Sequence, residues 1–514
     1  MAGRVNNVKE AWKKFNGQQL KAVTTVNGVV RIGSVAGSGK TTVLVNRVEH
    51  MVNDLNIDPK KIAMMTFTAK AAENMQERLE KLMGKGKMAG MFCGTSHSFG
   101  YKILSTEFKE MNHPLRTFTR NDKGNPGVLT GSWQRSLAED VKKEILKEYN
   151  ENSDIHKKIK ETSVKSFLFF VTLAKNNNKD HVQVESEMAM GANEEKWAYI
   201  NFYRLYEKKK FERKAIDFDD MLFLAVRLLV DHPEVASKYQ RMFEYILTDE
   251  SQDNNILQYM MVNIIGAPEY NLFFVGDDDQ SMYGFRGANP DSFIHLAKQY
   301  SEVIDIPLED NYRSYPDILD RANRLIAHNT NRIVKQLKAN KKDDQKAVFF
   351  SKFNDEVGES EWVAKEIKSI IEGQDTDFTD SISYKQVAIL YRTNAQSKEM
   401  EDALITYGIP YVIHGGYSFY ERKEVKDILA YLSLAVNPDD NDSFKRIYNT
   451  PTRYLGKAFL EKVSKTKGSF YRNLNNIERT LTTREQNAVF NLKMMVSDMS
   501  KFLDVGTPIE EVID

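Results

Sequence analysis

Ser34-Val35-Ala36-Gly37-Ser38-Gly39-Lys40-Thr41 is the stretch on which the reading of this chain turns. Upstream, Val29-Val30-Arg31-Ile32-Gly33 is a short apolar run of the kind that forms a buried strand. Downstream, Leu44, Val48, Met51 and Val52 recur at helical spacing and give one apolar face. A strand, a loop of small residues and a helix opening on Lys-Thr make a phosphate cradle. Gly37 and Gly39 let backbone N–H groups close on phosphate oxygens. In such a cradle Lys40 would reach the β/γ-phosphates, and the Thr41 hydroxyl would ligate Mg²⁺. The strict pattern opens on Gly where this chain has Ser34. A glycine-rich turn in an ordinary strand–helix unit reads the same residues, so the rest of the chain has to decide.

At 514 residues the chain exceeds a single hydrophobic core, and about three or four domains are expected. With 41% apolar and 11% aromatic residues it can bury several cores, which excludes a disordered or fibrous protein. Lys+Arg and Asp+Glu are both 72, so a nucleic-acid surface has to be a local patch. One cysteine, Cys93, excludes an internal disulfide, argues against a thiolate zinc site and points to a reducing cytosol. Met1-Ala2-Gly3-Arg4-Val5-Asn6-Asn7 is no apolar signal region, and no apolar run approaches membrane-spanning length, so no membrane partner is expected.

Phe15-Asn16-Gly17-Gln18-Gln19-Leu20 opens a helix with an N-cap. Gln19, just upstream of the phosphate loop, offers an acceptor and donors to an adenine edge, although a surface glutamine reads the same way. Lys61-Ile62-Ala63-Met64-Met65-Thr66-Phe67-Thr68 is a second buried strand running into a helix at 69–75, and this alternation argues for a parallel α/β sheet. Phe67 sits at the C-terminal end of that strand, where ligands meet such sheets; it either stacks a base or fills the core. His97, in Gly94-Thr95-Ser96-His97, suits a phosphate or sugar contact or a structural role. From about 100 to 212 the chain turns helical, polar and lysine-rich, with no phosphate motif, and reads as an inserted helical domain.

Three later stretches carry acids and aromatics at strand ends. Tyr245-Ile246-Leu247-Thr248 runs into Asp249-Glu250, where Asp249 can hold Mg²⁺ and Glu250 can orient or deprotonate water. Leu272-Phe273-Phe274-Val275-Gly276 runs into Asp277-Asp278-Asp279-Gln280. Three adjacent aspartates repel one another, and folding alone gives no reason for them. Gln280 is placed to sense a γ-phosphate, and Phe285-Arg286 pairs a stacking platform with a phosphate-binding guanidinium. Val303-Ile304-Asp305-Ile306 leads to Tyr312-Arg313, a ring beside a cation. Gln386-Val387-Ala388-Ile389-Leu390-Tyr391-Arg392 is a further strand, so a second α/β unit is expected after about 288.

Together these stretches resemble the UvrD/Rep-type superfamily 1 DNA helicases. The ordered set is Gln19, AGSGKT at 36–41, TFTAKAA at 66–72, GTSH at 94–97, DESQD at 249–253, GDDDQSMYGFRGA at 276–288 and LEDNYRS at 308–314. It continues with AILYRTNAQS at 388–397, YVIHGGYSFYERKEVKDILAYL at 411–432 and NTPTRYLG at 449–456. The resemblance implies an ATP- and Mg²⁺-dependent enzyme that moves 3′ to 5′ on single-stranded DNA and unwinds duplex DNA, in repair or replication. It implies a cytoplasmic setting, bacterial or that of an infected cell.

By the same resemblance, Ala36, Gly37, Ser38, Gly39, Lys40, Thr41 and Thr42 hold the nucleotide. Gln19 and Tyr312 contact adenine, and Thr41 and Asp249 serve the metal. Glu250, Lys40, Gln280 and Arg313 are the catalytic set. Phe67, His97, Tyr283, Phe285 and Arg286 touch single-stranded DNA, with Phe285 in place of the family's more usual tryptophan. The implied architecture is two RecA-like P-loop domains, parallel sheets flanked by helices, each with a helical insertion. Mapped here, the first is 1–97 plus 213–288 with its insertion at 98–212. The second is 289–416 with its insertion at 417–514.

The family's last motifs, a strand ending in a Thr/His-Lys-Gly-Leu stretch and a later arginine finger, are not found in this sequence. Thr507-Pro508-Ile509-Glu510 is a capping box that opens a helix just before the last residue, Asp514. An incomplete second domain with an exposed sheet edge is therefore expected. A second polypeptide supplying the missing motifs is one consequence. In that case the chain is an ATP- and DNA-binding subunit of a split helicase or helicase–nuclease, inactive alone.

Overall fold

A computed structural model describes residues 10–84, 86–118, 127–188, 193–342, 348–372, 382–414, 423–465, 468–505 and 507–508. The chain divides into two units, Met1–Phe349 and Phe350–Asp514. The boundary expected at 417 and the helix expected from Ile509 onward lie outside the described residues.

The first unit is built on strands β1 (Val29–Ser34), β2 (Ile62–Thr66) and β3 (Phe92–Thr95), the short β4 (Val128–Leu129) and β5 (Ile216–Asp217), then β6 (Tyr245–Thr248), β7 (Leu272–Gly276) and β8 (Ile304–Leu308). Six of these form one parallel sheet in the order β3-β2-β6-β7-β1-β8. Its central strands are mostly apolar because helices cover both faces. Alternate residues divide between two cores. Ala63, Met65, Ile246, Leu272 and Phe274 face the helices Ser96–Glu110, Asp220–Asp231 and Ile256–Gly266. Val30, Ile32, Met64, Leu247, Phe273 and Val275 face Gly17–Thr24, Lys40–Asn53 and Ala69–Met83. Full burial of each such large side chain contributes about 1.5–3 kcal/mol.

The residues 304–308, expected in the second α/β unit, belong to this first sheet. β8 pairs with β1 in parallel, with Arg31 opposite Asp305. The Arg31 guanidinium closes that register with two bonds to the Asp305 carboxylate, at 2.6 and 2.9 Å. The first core therefore runs past the boundary expected at 288. Beyond β8, β9 (Asp310–Asn311) pairs with β10 (Lys338–Ala339).

The helical insertion also differs in extent. The helix Ser96–Glu110 packs Phe99, Ile103, Leu104 and Phe108 into the sheet's core, so it belongs to the first domain. A separate core then forms among Leu137, Val141, Phe167, Phe202 and Tyr206, from the helices Gly131–Leu146, Val164–Asn176 and Glu194–Glu212. The parallel pair β4–β5 ties the two ends of this segment together.

At that junction lies a buried charge cluster. The Lys175 ammonium is 2.6 Å from Asp220, 2.9 Å from Glu207 and 3.1 Å from Asp217. Lys210 is 2.8 Å from both Asp217 and Glu207 and also pairs with Asp220. Burial works against the Lys175 ammonium. The facing carboxylates outweigh it and hold its pKa well above the ordinary lysine value.

In the second unit, helices Glu356–Ile371 and Ser397–Thr406 pack around Ala364, Ile367 and Leu404. A second core gathers Leu434, Phe444, Phe459, Leu474 and Leu492 from helices between 423 and 504. The expected strand at 386–392 keeps a two-residue alternation. Val387 and Ile389 turn inward against the first of these cores, while Ala388 and Leu390 are exposed. It forms no ladder among the described residues, since none of them offers it a neighbouring strand.

Removing one partner of the buried cluster leaves uncompensated charge. Lys175→Met is expected to cost about 3–5 kcal/mol, read as a lower urea midpoint of the first unit's unfolding.

Candidate active site

Every strand of the parallel sheet delivers its C-terminal end to the same edge, and the loops leaving it carry the candidate residues. The loop after β1 closes tightly. Gly37 (φ +71°) and Gly39 (φ +85°) both take left-handed conformations that only glycine adopts freely. A Cβ on Gly37 would lie 2.7 Å from the Asn311 amide and 2.9 Å from the Arg313 Cβ. Asn311 holds the approach: its amide donates to the Ala36 carbonyl at 2.6 Å, and its oxygen accepts from the Arg313 and Ser314 N–H groups. The Tyr312 N–H donates to the Gly37 carbonyl at 3.1 Å. Ser34, where the strict pattern has glycine, is fully buried in β1, and its hydroxyl donates to the Gly276 carbonyl at 2.8 Å. A glycine is not needed there, because the side chain has a partner on β7.

Ala36, Gly37, Ser38, Gly39, Lys40, Thr41, Thr42, Glu250, Gln280, Tyr312 and Arg313 line one cleft of about 500 Å³. The Lys40 ammonium is 3.1 Å from the Glu250 carboxylate. Glu250 itself has a positive φ of 49°, strained for a residue with a side chain, and this aims its carboxylate at the loop. Gln252 donates to Glu250 at 2.9 Å and accepts the Asp277 N–H at 2.9 Å, so it links the loops after β6 and β7. Asp249 is buried at the end of β6. Burial, with Glu250 beside it, pushes its carboxyl up to about 6.

Gln19, expected to contact adenine, is tied to the phosphate loop in this structure. Its amide donates to the Ser38 carbonyl at 2.9 Å, and its oxygen accepts the Asn16 N–H in a reciprocal cap. It is buried, both ends are used within the chain, and it props the phosphate loop from behind. Asn16 reaches the same region, donating to Asp310 at 2.6 Å and to the Tyr312 hydroxyl at 3.1 Å. Sequence reasoning passed over Arg78, which lines the cleft from the helix Ala69–Met83. A lone arginine inside an amphipathic helix gives no local signal.

The remaining candidates form two aromatic groups. Phe67 and Tyr283 have ring centroids 4.8 Å apart, and Tyr283 and Phe285 6.2 Å. The Arg286 guanidinium lies over both Tyr283 and Phe285, at 5.3 and 5.5 Å. Phe285 is 63% exposed, an outlay of apolar surface that packing does not explain. His97 stands in a separate stack, face to face with Phe218 at 4.1 Å. Phe218, half-exposed between Ile216-Asp217 and Asp219-Asp220, was missed from the sequence because it reads as the apolar residue of a short strand. Asn176, at the end of the insertion's Val164–Asn176 helix, donates to the Arg286 carbonyl at 2.9 Å and accepts from Asn255 at 2.9 Å.

A phosphate loop on a central parallel strand, with an acid pair on a nearby strand, defines a P-loop nucleotide-binding fold. The comparisons narrow this. Residues 15–301 match the UvrD/REP helicase N-terminal domain, and residues 306–498 match the UvrD-like helicase C-terminal domain. The chain belongs to the UvrD/Rep helicase family. It is 34% identical over 509 residues to the ATP-dependent DNA helicase PcrA of Leuconostoc citreum, covering 97% of this chain and 64% of the relative. To PcrA of Bacillus subtilis it is 35% identical over 508 residues, 97% of this chain and 65% of the relative. To the helicase Rep of Buchnera aphidicola it is 33% identical over 511 residues, 97% and 74%. The chain thus spans somewhat less than two thirds of the length of these PcrA relatives.

The match over 306–498 corrects the expectation that the C-terminal motifs are absent. With both helicase domains represented in one chain, the ground for a completing second polypeptide falls away. Among the described residues no helix is long and apolar enough to cross a membrane.

Burial lowers the His97 imidazole from 6.5 to about 4. The native site therefore refuses a proton that the unfolded chain accepts, and acidification from 6.5 toward 4 favours unfolding through this group. A ring-proton NMR titration is expected to show His97 neutral down to about pH 5, with no charge step near neutrality.

Proposed function

We propose that this chain is an ATP-dependent DNA helicase that couples nucleotide hydrolysis to movement along single-stranded DNA. The carrying observation is the loop 277–287. It presents Gln280 to the cleft and, three to six residues on, Tyr283, Phe285 and Arg286 to the aromatic cluster. A change at either end is felt at the other within a few residues. The relatives are ATP-dependent DNA helicases, which supports the same reading. Movement from 3′ to 5′ rests on family membership, and the two-domain division, with helical insertions, is proposed on the same ground.

Ser38 supports a phosphate in the cradle. Its hydroxyl is buried with no partner among the described residues, beside loop N–H groups that glycine keeps accessible. Thr41 and Asp249 would hold a hard cation such as Mg²⁺ through their oxygen donors, and such an ion would supply positive charge against the phosphates. Entering phosphate competes with Glu250 for the Lys40 ammonium. Glu250 is then free to take a proton from the water that attacks the γ-phosphorus. The P–O bond to ADP breaks and inorganic phosphate leaves. Gln280 and Arg313, both lining the cleft, are the sensors of the γ-phosphate, and Tyr312 is the adenine neighbour. Phe67, Tyr283, Phe285 and Arg286 provide the base-stacking platform, with His97 and Phe218 as a second contact.

Steady-state ATP hydrolysis by the purified chain, with and without single-stranded DNA, tests this. Lys40→Ala is expected to abolish turnover. Glu250→Gln is expected to keep nucleotide binding and lower turnover by about 10²–10⁴-fold. DNA-independent turnover in the unchanged protein overturns the coupling. Phe285→Ala is expected to weaken DNA binding by about 1–3 kcal/mol, read by fluorescence anisotropy of a labelled oligonucleotide, with nucleotide affinity unchanged.

A further inference from the structure

The three consecutive carboxylates Asp277, Asp278 and Asp279 follow β7 directly, and the chain neutralises them from 53 to 58 residues away. The segment between the helix Pro316–Ile326 and β10 runs back across the sheet edge as a strap. Its Arg332 guanidinium grips Asp279 with two bonds, at 2.8 and 2.6 Å. The Ile333 N–H donates to Asp278 at 2.8 Å. Lys335 is 3.1 Å from Asp277, 3.0 Å from Asp279 and in contact with Asp278. Lys335 is 5% exposed although its neighbour Val334 is 91% exposed, so the strap turns its cation inward and leaves the apolar residue in water. That is the reverse of what packing alone selects. Burial works against the Lys335 ammonium, yet the surrounding carboxylates raise its pKa above the ordinary lysine value.

The strap touches both ends of the γ-phosphate machinery proposed above. Asp277, paired with Lys335 through one carboxylate oxygen, accepts the Gln280 amide through the other. Gln280 lines the cleft. On the other side the strap continues into β10, whose Lys338 N–H donates to the Glu309 carbonyl at 2.9 Å and which pairs with Asp310-Asn311. Asn311 is the residue that accepts the Arg313 N–H and holds the phosphate loop. Ile333 packs against Gly33, in the strand that feeds that loop.

We infer that Lys335, with Arg332, is a positioning residue for hydrolysis: the strap 332–338 sets Gln280 through Asp277, and Arg313 through β9. This rests on the hydrolase reading above for its functional half. Lys335 touches no reacting atom. It neutralises the acidic row so that Gln280 is presented to the cleft rather than drawn into uncompensated carboxylates, and it fixes the segment that carries Arg313.

The test compares the unchanged chain with Lys335→Met, Lys335→Arg and the double variant Lys335→Met/Asp278→Asn. The asparagine keeps the oxygen that accepts the Ile333 N–H and removes one negative charge. Turnover with single-stranded DNA is expected to fall by about tenfold in Lys335→Met, with KM for ATP changed far less. It is expected to recover in Lys335→Arg and, in part, in the double variant. Hydrogen exchange of peptides spanning 277–287 and 309–314 is expected to rise in Lys335→Met and to return in the double variant. The inference is overturned by unchanged exchange and turnover in Lys335→Met, or by a loss that charge removal at Asp278 does not relieve. If Lys335→Met does not fold, the double variant against the unchanged chain decides on the same exchange and turnover readouts. If the unchanged chain shows no Lys40-dependent turnover, the hydrolase reading fails, while the exchange measurement still decides the strap.

Discussion

The parallel pairing of β1 with both β7 and β8 is the constraint on which the site depends. Parallel strands leave the sheet at one edge, so the phosphate loop, the acidic row and the Tyr312-Arg313 segment emerge side by side, although they come from widely separated parts of the chain. Close pairing alone does not make the cleft. Gly37 admits Asn311 and Arg313 to distances that any side chain would block, and Asn311 then fastens the loop with hydrogen bonds to backbone. The geometry of the cleft is thus a packing consequence of one strand's neighbours.

The interior holds several charged groups, and they are satisfied in two ways. Among the described residues, Arg47 forms no ion pair with a carboxylate. Its guanidinium donates to the Ala22 and Val26 carbonyls, where the Gly17–Thr24 helix ends, and lies 3.9 Å from the Phe273 ring. Burial brings its pKa down to about 9. Lys175 and Lys210 share three carboxylates at the root of the insertion, and Lys335 and Arg332 share three more at the end of β7. Buried pairs of this kind add little net stability over apolar packing, but they punish misplacement severely. They stand where two segments distant in sequence must meet in one register.

Much of the site was legible locally. Lys40, Thr41, Asp249, Glu250 and Gln280 announce themselves because each follows a short apolar strand, and strand-then-loop is a pattern within ten residues. What was not legible depended on tertiary partners. The aspartate row reads as functional from repulsion alone, but its cations lie beyond an intervening strand and helix, and no periodicity links them. Residues 304–308 read correctly as a strand and were given to the wrong unit, because sequence order does not reveal that β8 lies beside β1. Gln19 reads as an adenine contact because glutamine offers both donor and acceptor. The capping box with Asn16 uses that same duality inward. Phe218 reads as the apolar residue of a short strand, and only the fold brings it against His97.

Lys175 and Asn176 are adjacent residues with separate allegiances. One is sunk into the carboxylates of Asp217 and Asp220, and the other holds the backbone of Arg286. The helix that ends on them therefore has two anchorages within a single peptide unit, one to the root of the insertion and one to the aromatic loop. This makes the insertion poorly interchangeable as a module. A helical segment transplanted from a relative would fit the sheet by its own core, yet it would leave Asp217 and Asp220 one cation short and one loop without its tether unless it brought this dipeptide in the same place. Recombination within such a chain is limited at that seam far more than at the exposed helices the insertion presents to solvent.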